Sequence, residues 1–253
     1  MHYLCAKFKL MYNLVVDAGN SSIKMFLFDN GNITNRIKCH EVAELLPSLE
    51  EIVPAKSIAR CIVSSVSIDA EEIAAVFRPF FPVVVYGISL SLPIIIKYGT
   101  PETLGSDRVA AVVGAVARYP KRNVLVIDSG TAITYDIVTD NGEYLGGNIS
   151  PGLKTRFRAL HNFTGRLPLL QVDESVDGLF GTNTNEALTI GIQNGMLYEV
   201  EATVNAFSQQ FDNLLVVFTG GDSFFFEKRI KNNNFAEPYL VAIGLNEILE
   251  YNV

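Results

Sequence analysis

Residues Leu14–Ser21 read LVVDAGNS, an apolar run that ends in an aspartate and a glycine bend. Leu125–Ala132 repeat the pattern as LVIDSGTA, and each copy is followed at the same distance by an Asp-Asn-Gly sequence, at Asp29–Gly31 and Asp140–Gly142. Apolar strand, acidic residue, glycine bend, second strand and tight hairpin turn therefore recur as one unit. The repetition predicts two copies of one hairpin, one in each half of the chain.

Each predicted hairpin has the chemistry of a phosphate site. Glycine at the bend admits positive φ and lets a phosphate approach backbone N–H groups, while Ser21, Ser22 and Thr131 add hydroxyl donors without bulk. The leading aspartate can hold a cation or a metal-bound water against that phosphate. Asn-Gly at the far end suits a two-residue hairpin turn. One copy alone would favour an ordinary hairpin with an acidic residue at its open end. The recurrence of the whole pattern favours nucleotide binding.

The composition indicates a packed globular protein that does not bind nucleic acid. Of the 253 residues, 49% are hydrophobic and 19% are charged, and this length gives room for roughly two domains. The formal net charge of −7 argues against a nucleic-acid-binding module, which usually carries a basic face. The positive mean hydropathy predicts an additional apolar surface, such as a subunit interface.

Cysteine usage and hydropathy predict a cytoplasmic protein without a membrane partner. Cys5, Cys39 and Cys61 show neither metal-ligand spacing nor a disulfide framework, so reduced thiols are expected. The apolar stretch Phe81–Ile96 is broken by prolines and is shorter than the ~20 residues that a membrane helix needs. Met1–Leu10 has no signal-peptide core, and a natural start at Met11 would make these residues an upstream extension.

Strand-like and helix-like segments alternate along the chain, which predicts an α/β protein. The expected elements include a strand over Ser57–Val66 and helices over Asp69–Phe77, Ser106–Arg118, Thr184–Ser208 and Tyr239–Tyr251, with Asp69 as an N-cap. Pro120 ends the third of these segments, and the hairpin pattern restarts just after it. We therefore expect domains over 11–119 and 120–253 that pack together with a cleft between them.

The segment Tyr98–Arg108, YGTPETLGSDR, places an acid and a guanidinium side by side at the start of a helix. A helix N-terminus favours anions, and Arg108 can grip a carboxylate with two hydrogen bonds, so a substrate carboxylate could dock here. Asp107 would then be placed to accept a proton from the substrate's hydroxyl. The alternative is an N-capping aspartate beside a solvent-facing arginine.

Two glycine pairs mark further loops. Gly146–Gly152 predicts a flexible turn, an edge strand and a helix start. The strand that runs into Gly220 and Gly221 permits close approach of a nucleotide base or ribose, and Asp222 either caps the next helix or binds a ribose hydroxyl. The sequence contains no Gly-x-x-x-x-Gly-Lys-Ser/Thr loop and no histidine partner pattern, so phosphate binding must depend on the hairpins.

Taken in order, these motifs resemble the type III pantothenate kinase family of the acetate and sugar kinase, heat-shock-protein and actin superfamily. The matching segments are Asp17–Lys24, Gly105–Arg108, Asp128–Thr134, Gly146–Gly152 and Thr219–Asp222. The resemblance implies a homodimer with two ribonuclease-H-like, actin-like ATPase domains related by duplication, with an interdomain cleft. It implies ATP-dependent phosphorylation of pantothenate to 4′-phosphopantothenate, the first step of coenzyme A biosynthesis.

The resemblance also implies roles for individual residues. The ATP phosphates would be held by Asp17, Ala18, Gly19, Asn20, Ser21, Ser22, Ile23 and Lys24, with a further contact from Thr131. Asp107 would act as general base, and the pantothenate pocket would be lined by Tyr98, Gly105, Ser106, Asp107, Arg108 and Thr184. Asp128 would bind a monovalent cation, K⁺ or NH₄⁺, and Mg²⁺ would accompany ATP. Ser21 and Ser106 stand where the family often has threonine and alanine.

Two other functions fit parts of the pattern. An ATP-binding regulatory or accessory protein would keep the same fold without kinase activity. The pair Asp107 and Arg108 argues against it, because a protein that only binds ATP needs no acid at an acceptor site. A sugar or acetate kinase of the same superfamily would normally have a longer chain with a larger acceptor domain.

Overall fold

The computed structural model describes residues 11–87, 89–227, 229–230 and 234–252. The suggested upstream extension and Cys5 therefore lie outside the described residues. The chain divides into two compact units. The first takes in the residues up to Pro93, Glu102–Gly114 and the residues from Val241 onward, and the second takes in Ile94–Pro101 and Ala115–Leu240. The sequence predicted two continuous domains, over 11–119 and 120–253. Those domain limits stay a prediction.

The elements are as follows. The strands are β1 (Tyr12–Ala18), β2 (Ile23–Asp29), β3 (Asn32–Cys39), β4 (Ile58–Ser65), β5 (Val83–Val85), β6 (Ile95–Ile96), β7 (Val124–Ser129), β8 (Ala132–Val138), β9 (Glu143–Pro151), β10 (Leu215–Thr219) and β11 (Asn234–Ala236). The helices are α1 (Leu45–Glu50), α2 (Ala70–Phe77), α3 (Ser106–Arg118), α4 (Leu153–Phe163), α5 (Thr184–Gln210), α6 (Ser223–Glu227) and α7 (Leu240–Tyr251).

The two sheets repeat one strand order, which confirms the duplication read from the sequence. The strand order of the first sheet is β3-β2-β1-β4-β5. That of the second sheet is β9-β8-β7-β10-β11, and β6 lies beside β9 as a sixth strand. In both, the first three strands are antiparallel neighbours and the following pairs are parallel. Because the carboxyl ends of parallel strands meet at one edge of a sheet, each leading aspartate lies at such an edge.

Hydrophobic packing explains the apolar runs that precede the aspartates. Four consecutive residues of β1 and the first four of β7 are buried, as expected for central strands covered on both faces. In the first unit, Leu14, Val16 and Ala18 pack into a core with side chains of α1 and α2. In the second, Leu125 and Ile127 pack into a core with one face of α5.

The two Asp-Asn-Gly turns differ. Asn30 and Gly31 have φ of 48° and 76° and join β2 to β3 as the expected two-residue turn. The expectation is wrong for the second copy, where only Gly142 has positive φ, at 74°. There Thr139 takes the closing bonds, since its N–H donates to Glu143 O over 3.0 Å and its O accepts from Gly142 N over 2.9 Å. The second hairpin therefore has a longer loop.

Most predicted helices and strands are confirmed, and one loop assignment changes. Asp69 caps α2 by accepting a hydrogen bond from Glu71 N over 3.0 Å. Gly146 and Gly147 do not form a flexible turn but lie inside β9. A Cβ on Gly147 would overlap the backbone oxygen of Tyr135, so glycine is needed there for close strand packing. Among the described helices, none combines the length and apolar character needed to cross a membrane.

Helices α3 and α7 cross closely in the first unit, and this contact yields a stability prediction. A Cβ on Gly244 would overlap the carbonyl of Ala110 and lie 2.8 Å from Gly114 N. We expect Gly244→Ala to lower the free energy of unfolding by about 1–3 kcal/mol, because the helices must move apart. Urea denaturation measures the change.

The matched control is Gly191→Ala, in the exposed middle of α5. No neighbouring atom lies within 4 Å of a Cβ built at Gly191. This variant should be more stable by about 0.5–1 kcal/mol, because alanine restricts the unfolded chain more than glycine does. Equal effects of the two substitutions would contradict the close helix crossing.

Candidate functional site

The first bend that the sequence predicts to hold phosphate joins β1 to β2 and lies at the edge of the first sheet. Asp17, the next-to-last residue of β1, pairs in register with Lys24 of β2 on one side and Ser64 of β4 on the other. Burial raises the pKa of Asp17 to about 6, against the opposing effect of the Lys24 charge, and the negative charge of Asp107 contributes to the rise. The charges of Asp107 and Asp17 therefore influence each other.

The start of α3 holds Asp107 in place. Ser64 Oγ donates to Ser106 Oγ over 2.9 Å, which ties the start of the helix to β4. The N–H of Arg108 donates to Asp107 Oδ1 over 2.8 Å. A Cβ on Gly105 would lie 2.6 Å from the same Oδ1, so only glycine leaves room for the carboxylate in this position.

The alternative of an N-capping aspartate beside a solvent-facing arginine is wrong. Asp107 is the second residue of α3 and lies within the helix. Arg108 is only 7% exposed. The Arg108 guanidinium therefore does not face solvent, and Asp107 does not occupy the cap position.

Tyr86 belongs to the same neighbourhood and was missed by sequence reasoning. It follows β5, and its N–H donates to Val63 O over 2.8 Å at the edge where Asp17 lies. Burial raises the pKa of Tyr86 to about 12, with a further contribution from the charge of Asp107. The available signal was its place directly after a strand parallel to β4, but the pairing of β5 could not be read from the sequence.

The structure separates the predicted pantothenate residues into two groups. Gly105, Ser106, Asp107 and Arg108 belong to the first unit, whereas Tyr98 and Thr184 belong to the second. The ring of Tyr98 stacks on Tyr144 with centroids 6.3 Å apart. Thr184 is the first residue of α5, directly after the helix cap Asn183.

The glycines of the two bends do not have the expected positive φ. Gly19 and Gly130 adopt ordinary backbone conformations, and their N–H groups donate to Ser22 O over 3.2 Å and to Ala132 O over 2.9 Å. A Cβ at either position would meet no neighbouring atom closer than 3.8 Å. Neither the backbone nor the packing of the protein therefore requires glycine here, and the space beside both bends is open.

The second bend is held by α4. Thr131 O accepts from Gly152 N over 3.1 Å and from Thr155 Oγ1 over 2.6 Å. Thr131 itself is exposed. The bend thus has a hydroxyl-bearing residue at the surface of the second unit, and the carbonyl of that residue is hydrogen-bonded to Gly152 and Thr155.

Asp128, the predicted cation ligand, lies against the Gly220 loop. It pairs in register with Thr219 of β10, and a Cβ on Gly220, which has φ of 85°, would overlap the Asp128 carboxylate. Gly220 is therefore needed for the approach of Asp128, whatever it does for a nucleotide. Thr219 Oγ1 is buried and has no hydrogen-bond partner among the described residues.

Asp222 lies at the far side of the Gly220 loop. Its N–H donates to Ser129 O over 3.2 Å, which joins the loop to the second bend. Burial raises the pKa of Asp222, and Lys154 Nζ, 3.9 Å from Oδ1, opposes that rise. Among the described residues no group of three or more histidine, cysteine, aspartate or glutamate side chains is arranged to hold a metal ion.

Comparison with known structures shows where this architecture recurs. A structure from Campylobacter jejuni, described as a Baf family transcriptional activator, matches with a TM-score of 0.62 at 22% identity and covers 94% of this chain and 98% of that chain. A ROK family glucokinase from Streptomyces griseus, in complex with glucose and AMPPNP, matches with a TM-score of 0.54 at 14% identity and covers 94% and 98%. These likenesses show an actin-like, ribonuclease-H-like fold.

Sequence comparison is more specific. A type III pantothenate kinase of Bacteroides fragilis is 42% identical over 242 residues, which cover 95% of this chain and 98% of the relative. One from Porphyromonas gingivalis is 39% identical over 252 residues, covering 96% and 100%. The type III pantothenate kinase family model matches residues 13–206. The chain therefore belongs to the type III pantothenate kinase family.

Proposed function

We propose that this protein transfers the γ-phosphoryl group of ATP to the hydroxyl of pantothenate and so catalyses the first step of coenzyme A biosynthesis. Family membership supports the reaction. The observation that carries it is the placement of Asp107, which directly follows Ser106; Ser106 is hydrogen-bonded to Ser64, the residue paired with Asp17. A kinase benefits from a carboxylate that accepts the acceptor's hydroxyl proton near the phosphates, whereas a regulatory ATP-binding protein needs no such base. The Baf family structure shows the fold alone.

Asp107 is the proposed general base, and the buried Arg108 the proposed ligand of the pantothenate carboxylate. Gly105 supports this role because it leaves room for the Asp107 carboxylate. The bond from Ser64 to Ser106 fixes the start of α3 and therefore the base. Tyr98 and Thr184 of the second unit are proposed to complete the set of pantothenate contacts.

Residues Asp17–Lys24 are proposed to bind the ATP phosphates in the first unit. Open space beside Gly19 and the small side chains of Ser21 and Ser22 would admit an anion, and Lys24 supplies a positive charge. Thr131 in the second unit is proposed to add a phosphate contact, with Gly220 and Gly221 near the base or ribose.

Mg²⁺ is proposed to bind with ATP through the carboxylate of Asp17. Mg²⁺ commonly uses one or two carboxylates plus substrate phosphates and keeps several waters, so it does not need an acidic cluster. A single aspartate at the phosphate bend fits this donor set. The bound ion would neutralise charge on the transferred phosphoryl group, while Lys24 and backbone N–H groups orient it.

A monovalent cation, K⁺ or NH₄⁺, is proposed to bind at Asp128. The buried hydroxyl of Thr219, without a partner among the described residues, supports this site because it could supply a second oxygen beside the carboxylate. Unpartnered buried hydroxyls are costly, so a ligand that uses this oxygen would be favoured.

Exposed apolar side chains support the proposed homodimer. Phe163, Leu179 and Phe180 of the second unit are 90%, 81% and 76% exposed. Large apolar side chains left exposed can mark a subunit interface. We propose that a second copy of the chain covers them.

A cytoplasmic location remains part of the proposal. Cys39 and Cys61 are buried free thiols, and burial raises the pKa of both, which keeps them in the unreactive thiol form. Free thiols are typical of proteins in reducing compartments.

The function is tested by measuring ADP release from ATP and Mg²⁺ with pantothenate, glucose or acetate as acceptor. Release is expected with pantothenate alone. Asp107→Asn should fold normally and lower kcat by about 10²–10⁴ at saturating ATP, because the hydroxyl proton has no acceptor. Glu102→Gln, which neutralises a nearby exposed carboxylate, is the control and should retain full turnover. If none of the three acceptors gives ADP release, the regulatory alternative is favoured. An unchanged rate for Asp107→Asn would exclude Asp107 as the base.

The pH dependence tests the role of Asp17. Its pKa of about 6 means that the carboxylate is half protonated near pH 6, whereas an ordinary aspartate stays ionised down to about pH 4. We therefore expect kcat/KM for ATP to fall as the pH drops through about 6, because protonation removes the charge that holds the cation.

Asp17→Asn separates this effect from the titration of ATP itself. The variant should have a lower kcat/KM for ATP at neutral pH and should lack the part of the acid limb that comes from Asp17. Parallel profiles for the two proteins would show that Asp17 does not titrate in this range or does not contribute to ATP use.

A further inference from the structure

The second phosphate bend, residues 129–132, is joined to the start of α4 by a compact set of contacts. Thr131 O accepts two hydrogen bonds, from Gly152 N and Thr155 Oγ1, and the Thr155 bond, at 2.6 Å, is the shorter. A Cβ on Gly152 would overlap the carbonyl oxygen of Gly130. Only glycine permits this approach, so helix and bend are packed backbone to backbone.

The start of α4 is hydrogen-bonded to β9 and α5, and through Glu199 of α5 it is linked to β8. Arg156 Nε donates to Pro151 O over 2.8 Å, and Arg156 Nη2 donates to Ser150 Oγ over 3.2 Å and to the Glu199 carboxylate of α5. Glu199 also accepts from Tyr135 Oη of β8 over 2.9 Å. Burial raises the pKa of Glu199, but these hydrogen bonds outweigh burial and the net shift is downward. An ionised glutamate with a hydrogen bond to each carboxylate oxygen therefore anchors the helix that reaches the bend.

A carbonyl held by two donors has little freedom to rotate. The Thr131 carbonyl belongs to the peptide plane that follows Thr131, so the two bonds restrict ψ of that residue. Thr155 thereby controls the direction in which the bend presents the groups of Thr131. Without the hydroxyl, the Gly152 N–H would be the single remaining hydrogen-bond donor to this oxygen in the part of the chain that the structure describes.

We propose that Thr155 is a positioning residue for ATP, which acts by holding the second phosphate bend in its nucleotide-binding conformation. The proposal rests on the proposed function, in which the second phosphate bend contacts ATP through the Thr131 side chain or through its backbone. Thr155 does not touch the nucleotide in this account. Its hydroxyl makes the binding conformation of the bend the populated one, so its loss weakens ATP binding without changing the chemical step.

Thr155→Val tests the proposal, because valine keeps the shape of threonine and removes the hydroxyl. The KM for ATP should rise about three- to tenfold, the factor that corresponds to one hydrogen bond of typical net strength. The kcat and the KM for pantothenate should stay unchanged. Thr155→Ser, which restores the hydroxyl, should return the KM for ATP to that of the parent protein.

Thr164→Val is the matched control. Thr164 Oγ1 donates to Leu160 O over 2.6 Å, the same type and length of bond at the other end of α4. Its loss should leave the KM for ATP unchanged. An equal rise in both valine variants would mean that α4 acts only through its stability, and it would overturn the proposal.

Thr131→Ala distinguishes failure of this inference from failure of the proposed ATP contact. If Thr131→Ala raises the KM for ATP and Thr155→Val does not, the positioning role of Thr155 is overturned and the contact stands. If Thr155→Val raises that KM, serine restores it and Thr131→Ala has no effect, the positioning role stands through the backbone of the bend and the side-chain contact fails. No effect of either variant overturns both.

Discussion

Each unit depends on the parallel pairing of two strands, β1 with β4 in the first unit and β7 with β10 in the second. This pairing sets Asp17 beside Ser64 in the first sheet and Asp128 beside Thr219 in the second. An acid and a hydroxyl therefore meet at the carboxyl edge of both sheets, with a phosphate bend immediately after the acid. The antiparallel hairpin on the other side fixes the register, and a slip of one residue would move both acids to the opposite face of the sheet.

The two copies differ in what the hydroxyl does. Ser64 donates a hydrogen bond to Ser106 and thereby fixes the start of α3, where Asp107 lies. Thr219 has no such partner among the described residues, and the loop beyond it brings Gly220 against Asp128. One ancestral arrangement thus supports a proposed proton acceptor in the first unit and a proposed cation site in the second.

Glycine serves two physical purposes in these sites. Gly152 and Gly220 are required because the protein's own atoms fill the place of a Cβ. Gly19 and Gly130 are not required in this way, since their backbones are ordinary and the space beside them is open. A position that the protein could fill but leaves open is best explained by a ligand that comes close to the backbone.

The sequence predicted those features that depend on local patterns. Buried strands, the Asp69 cap and the Asn30-Gly31 turn follow from nearest neighbours along the chain, so they were predicted correctly. The second hairpin turn was predicted wrongly because Thr139 competes for the closing hydrogen bonds. Gly147 was misassigned to a turn because its requirement for glycine comes from β8 across the sheet. Tyr86 and Thr155 were missed for the same reason, since their contacts join residues distant in sequence.

Direct measurement of ATP binding to Gly19→Ala and Gly130→Ala by calorimetry tests the central claim that both bends bind the nucleotide. The protein alone tolerates a Cβ at either position, so neither variant should have a lower free energy of unfolding than the parent. Both should bind ATP at least about tenfold more weakly, a loss of about 1.4 kcal/mol, because the added methyl group holds the phosphate away from the backbone. Parent-like ATP affinity in both variants would contradict the account.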